Sequence, residues 1–161
     1  DSNSLTTLTE REEQEALTQT MFAMVEDLAY LVYEINQIQS KAKQVIASGA
    51  KKSKQAQKTW DALEALRTDL VVTTGDNYVA SAEPELRERM GELYSNIATS
   101  YDRVGGSLKN NFDLISEEFT TEKVRFQKIM DKQVSTFYKA LEKNDLELPV
   151  IKTKEVFLAK D

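Results

Sequence analysis

The chain contains no cysteine and no histidine, and these two absences remove most of the usual catalytic vocabulary. Disulfides, thiolate nucleophiles, the usual zinc ligand sets, haem–His ligation and Ser-His-Asp triads are all excluded. Helical bundles that hold two irons use Glu-x-x-His pairs, so that function is excluded in its usual form as well. Five glycines and two prolines in 161 residues suit long helices and argue against a turn-rich β fold. No apolar run approaches the ~20 residues a membrane-spanning helix needs, and no glycine-rich phosphate loop is present. A net charge of −6 with a pI near 4.9 disfavours nucleic acid as the main partner. No cofactor and no metal site is expected. The chain starts at Asp1 rather than at a methionine, no signal peptide is read in it, and it is taken to be a processed or excised piece of something longer.

What the sequence does contain is an apolar heptad. Leu17, Met21, Met24, Leu28, Leu31, Ile35, Ile38, Ala42 and Val45 alternate spacings of four and three, which holds one seam of a long helix against partner helices. The pattern predicts a first helix from about Thr9 to Ser48, opened by a Thr9/Glu12 capping box and closed at Gly49. Phe22, Val25, Ala29 and Val32 form a second apolar row, so the middle of this helix is expected to be buried on two sides. A second helix from Ser53 to Val72 turns Ala56, Trp60, Leu63, Leu66 and Leu70 inward. Thr73 to Ala82 reads as a connection with Gly75-Asp76-Asn77 as its turn. Pro84 fits the first turn of a third helix whose stripe is Leu86, Met90, Leu93, Ile97 and Tyr101. Gly105-Gly106 breaks the chain, and Ser107 is the expected cap of a fourth helix running to about Lys143. Glu122 and Gln133 fall on the apolar seam of that helix and mark it as open or wet there.

The fold class is therefore all-α, an antiparallel up-and-down helical bundle. The favoured arrangement has four helices, two long and two short; the alternative is a three-helix bundle with a broken middle helix. Residues 1–145 form the bundle. Residues 146–161, with Leu148, Val150, Ile151, Val156, Phe157 and Leu158, are too apolar for a free tail and are expected to pack back on the bundle or on a partner.

Three groups of residues are candidates for function. Residues 1–40 hold eight acidic groups and one basic, whereas residues 41–58 hold six lysines and no acid. Lys51, Lys52, Lys54 and Lys58 would thus make the corner between helices one and two a basic knob, suited to an anionic lipid surface or an acidic partner. Lysines near a helix end also favour its dipole and keep a corner soluble. Tyr30 and Tyr33, three residues apart and off the main seam, would mark a contact face or merely cover the bundle's flank. Val156, Phe157 and Leu158 give the tail its apolar end. Glu118 and Glu122, one turn apart, have the spacing of a paired acid and base, which is also the spacing of many solvated helix pairs.

The order Trp60-Asp61-Ala62-Leu63-Glu64-Ala65-Leu66-Arg67, then Leu86-Arg87-Glu88-Arg89-Met90-Gly91-Glu92-Leu93-Tyr94, a glycine break, a long helix and Leu146-Glu147-Leu148-Pro149-Val150 resembles one known region. It is similar to the C-terminal helical region of secreted bacterial sortilin-like, BNR (Asp-box) repeat β-propeller proteins, and Ile35-Asn36-Gln37-Ile38 fits their opening helix. The resemblance implies an extracytoplasmic, non-catalytic structural or docking module, with any chemistry residing in the propeller. It also implies a β-propeller or β-sandwich domain of the same polypeptide or complex as partner. The alternative function is a free-standing envelope adaptor that binds a protein or anionic lipid through the basic corner at residues 41–58.

Overall fold

The computed structural model describes residues 7–49, 53–72, 84–101 and 103–159. Helix accounts for 82% of the described residues and no strand occurs among them, so the chain is the all-α bundle that its periodicity demands. The elements are α1 (Leu8–Ala47), α2 (Ser53–Leu70), α3 (Leu86–Ala98), α4 (Gly106–Ile129), a π turn (Met130–Val134), α5 (Ser135–Glu142) and α6 (Lys154–Leu158). They group into two compact units: Asp1–Leu28 with Val71–Thr120, and Ala29–Leu70 with Thr121–Asp161. α2 lies in one and α3 in the other.

In the first unit, Met21 and Leu28 of α1, Leu86, Met90, Leu93 and Ile97 of α3, and Ile115 and Phe119 of α4 are buried. Each such large side chain withdrawn from water contributes roughly 1.5–3 kcal/mol. Gln14 donates from Nε2 to the carbonyls of Ile97 and Ser100, 2.8 Å each, which satisfies acceptors left open where α3 ends. Arg89 grips Glu118 through both guanidinium Nη atoms, and Lys109 pairs with Glu13. Gln14 meets the end of α3 while Phe22, two turns further along α1, packs on Tyr94, so α1 and α3 run antiparallel.

The second unit is built on Ala42, Val45, Ala56, Phe137 and Leu141, with Ile46, Trp60 and Tyr138 packed against them. Gln39 is buried and donates to Glu64 at 2.8 Å, and Arg125 bridges Asp69 and Glu122. The π turn answers the break that Gln133 makes in the seam. Its widened backbone offers the Gln133 carbonyl to Gln55 Nε2 and Thr59 Oγ1, both at 3.2 Å. Side chains from α2 are thereby tied to the π turn. Glu122 is held in its ion pair with Arg125.

Several local expectations differ from the structure. The capping box is Thr7 with Glu10: Glu10 accepts from the Thr7 N–H at 2.8 Å, and Thr7 Oγ1 accepts from the Glu10 N–H at 3.2 Å. Thr9 lies inside the first turn of α1. Gly106 is already helical, and the Gly105 carbonyl accepts from the Lys109 N–H, which puts Ser107 past the cap. Pro84 precedes the N-cap Glu85 and is outside α3. Phe22 is 51% exposed and Tyr101 97% exposed, and Ala29 is exposed too. The second row of α1 is thus only partly covered, and α3 has ended before Tyr101. At the position expected for Trp60, it is Thr59 that is fully buried, while the indole is half-buried. Gly49 stops α1 as expected, with φ +65° and its N–H donated to the Ile46 carbonyl. The Gly75-Asp76-Asn77 turn lies outside the described residues.

Candidate functional site

The segment after α5 is anchored at both ends. Asp145 takes a left-handed φ of 53°, letting the Leu146 and Asp145 amides reach back to the carbonyls of Leu141 and Glu142 at 3.0 and 3.2 Å, the pattern of a Schellman stop. At the other end, Lys152 is clamped on both sides of its backbone. Its N–H donates to the Tyr33 hydroxyl at 3.1 Å, and its carbonyl accepts from the Tyr30 hydroxyl at 2.9 Å. Thr153 then caps α6 by accepting from the Val156 N–H, an element that the sequence pattern did not suggest. α6 presents Phe157 to both tyrosines, with ring centroids 5.6 Å from Tyr30 and 4.7 Å from Tyr33.

Between the anchors runs a strap, Glu147 to Ile151, with neither helix nor strand. Leu146, Leu148 and Val150 at alternate positions stay open to solvent, Val150 at 84%, and Val156 is 55% exposed beyond them. Among the described residues, no hydrogen bond engages the main chain of Glu147, Leu148, Val150 or Ile151. The strap is therefore positioned by its ends and left unpaired along its length. Two tyrosines on α1 do this, because three-residue spacing puts both on one helix face.

Of the residues singled out in the sequence, Tyr30, Tyr33 and Phe157 come together in this clamp, with Leu158 half-buried and Val156 outward. Lys54 and Lys58 are exposed on α2 and take no part in it; Lys51 and Lys52 lie outside the described residues. Glu118 and Glu122 are each held by an arginine, Arg89 and Arg125 respectively. Lys152 and Asp145, which fix the strap, were not legible beforehand, since their partners lie in backbone geometry rather than in any motif.

Burial shapes the electrostatics near the clamp. The Glu34 carboxyl is pushed above the usual carboxylate range by desolvation. The Tyr138 phenol is raised to about 12, first by burial and then by the charge of Glu34, and its buried hydroxyl has no hydrogen-bond partner among the described residues. The Tyr30 phenol is raised by burial, with Glu34, Tyr33 and Glu155 adding to it. Uncharged phenols suit hydrogen-bonding clamps.

Among the described residues no group of three acidic side chains is placed to hold a metal ion, and no helix is long and apolar enough to cross a membrane. Comparison with protein-family models, with curated proteins and with solved structures finds no match to the chain.

Proposed function

We propose that this chain is a non-catalytic docking module of the cell envelope or exterior, and that the strap and α6 are its contact element. The observation that carries this reading is the pair of anchors on an otherwise unpaired, outwardly apolar segment. Leu146, Leu148 and Val150 would be costly to leave in water, at roughly 25 cal/mol per Å² of apolar surface. Fixing their backbone in advance lowers the entropy cost of binding. A segment with alternate apolar side chains and free carbonyls and amides, save at Pro149, which has no N–H and suits only an outer strand, fits the open edge of a β-sheet, where main-chain hydrogen bonds supply affinity and alternate side chains supply specificity. The partner that fits is a β-propeller or β-sandwich domain, of the same polypeptide or of a complex, in line with the resemblance noted above.

Sedimentation of the purified chain tests this. With its partner absent, the exposed strap is expected to drive association at high concentration, and Val150→Asp should abolish that association while leaving the helical circular dichroism intact. A chain that stays monomeric, with the Leu148 and Val150 amides protected from hydrogen exchange, would overturn the proposal.

A further inference from the structure

The two units of the fold differ in the sign of their charge. The first unit carries 16 acidic and 5 basic residues and the second 11 acidic and 16 basic, giving −11 and +5 within an overall −6. In the second unit a groove of about 550 Å³ runs between α2 and the helix containing the π turn. Its apolar lining is Ala62, Ala65 and Ile129, and its cationic lining is Arg125, Lys128 and Lys132. Lys54 and Lys58 precede Ala62 and Ala65 at spacings of four, four and three, which puts all of them on one face of α2. Arg125 is occupied by Asp69 and Glu122, and Asp131, the groove's own acid, accepts from Gln127. Among the described residues no ion pair engages Lys54, Lys58, Lys128 or Lys132.

We infer that this groove docks an acidic peptide segment of a partner protein, by a contact separate from the strap. Lys128 at the end of α4 and Lys132 in the π turn both line the groove, so successive carboxylates of a bound peptide can meet both. The small floor residues let a peptide backbone come close. Concavity favours a chain over a membrane, whose flat surface would reach only the rims. The overall negative charge does not prevent this, because at physiological salt charges more than about 8 Å apart are largely screened and the local lysines dominate.

The test is fluorescence anisotropy of a short labelled polyglutamate peptide with the full chain, in parallel with flotation on phosphatidylserine vesicles. The expected result is peptide binding at low salt that falls steeply as salt rises. Lys128→Glu with Lys132→Glu should weaken it at least about tenfold, and Lys128→Gln with Lys132→Gln should weaken it less. Lys41→Glu with Lys43→Glu makes the same change in net charge on α1, and there the affinity should stay within about twofold. Circular dichroism checks the fold of each variant. No binding at low salt, equal loss in both reversed pairs, or a preference for vesicles that depends on Lys128 and Lys132 would each overturn the inference.

Discussion

Phe157 stacks on Tyr33 with ring centroids 4.7 Å apart and planes 23° apart, while the hydroxyl of the same tyrosine accepts the Lys152 N–H. One side chain therefore holds both the helix at the end of the tail and the backbone of the strap. An aromatic pair of this kind contributes about 0.5–1.5 kcal/mol beyond its buried area. Phe157→Ala is expected to release α6 and speed exchange of the Lys152 amide, with little change in the melting of the bundle. Tyr33→Phe keeps the stack and removes the acceptor, so it should speed exchange at Lys152 alone. Unchanged exchange in both variants would mean that the clamp does not hold the strap.

The first turn of α1 offers a choice between two threonines. Thr7→Ala removes the capping oxygen and should cost about 1 kcal/mol, whereas Thr9→Ala should fall within about 0.5 kcal/mol of the parent, as surface changes do. Urea unfolding monitored by helical signal distinguishes them. Hydrogen bonds from Thr7 also hold the Glu10 carboxyl below its ordinary value. The stability gained there is present above that ordinary value and lost as pH falls through the lowered one, so the difference between parent and Thr7→Ala should shrink in acid.

Glu34 gives the opposite sign. Burial raises its carboxyl, so the folded chain holds that proton more tightly than the unfolded chain. Stability from this group is greatest below the ordinary glutamate value and declines as pH rises through the raised one. Glu34→Gln is expected to raise the melting temperature at neutral pH and to leave it nearly unchanged in acid. It should also bring the Tyr138 phenol down from about 12, visible as earlier phenolate absorbance in an alkaline titration. In the parent, the part of stability due to Tyr138 is intact below its ordinary value of 10.0 and is lost as pH climbs through about 12. An unmoved titration would exclude coupling between Glu34 and Tyr138.

Asp145 holds a left-handed conformation at φ 53°, which costs a side-chain-bearing residue energy that glycine does not spend. Asp145→Gly should stabilise the chain by about 0.5–1 kcal/mol, and Asp145→Val should destabilise it by more than that. Thermal melts of the two variants give the sign directly. A loss of stability on substitution by glycine would mean that the aspartate side chain itself, not the turn, fixes the start of the strap.

The heptad from Leu17 to Val45 was readable because burial and spacing are the same fact in a helix: Met21, Leu28, Leu31, Ile35, Ile38, Ala42 and Val45 are all buried. The cap was misread because Thr7-Leu8-Thr9-Glu10 and Thr9-Glu10-Arg11-Glu12 both satisfy the same four-residue pattern. Only the hydrogen bonds of the folded turn choose between them. Glu122 and Gln133 were visible as breaks in a seam, but the π turn at Gln133 depends on Gln55 and Thr59, more than seventy residues earlier. The aromatic clamp was half legible: Tyr30 and Tyr33 declared a shared face, while their partners Lys152 and Phe157 required the chain reversal at Asp145. The basic groove was hidden for a similar reason, since Lys128 and Lys132 come to line one groove with Ala62 and Ala65 only through the pairing of α2 with the end of α4 and the π turn.

The strap as a docking element is tested most directly by photo-crosslinking in the native host. A photoreactive residue replaces Val150, and a second variant carries one at Leu114, an exposed apolar position in the first unit at 63% exposure. The account predicts that Val150 crosslinks to peptides of a β-propeller or β-sandwich domain, in the same polypeptide or a partner, and that Leu114 does not. Crosslinking from Val150 no stronger than from Leu114, or directed to lipid alone, would contradict it.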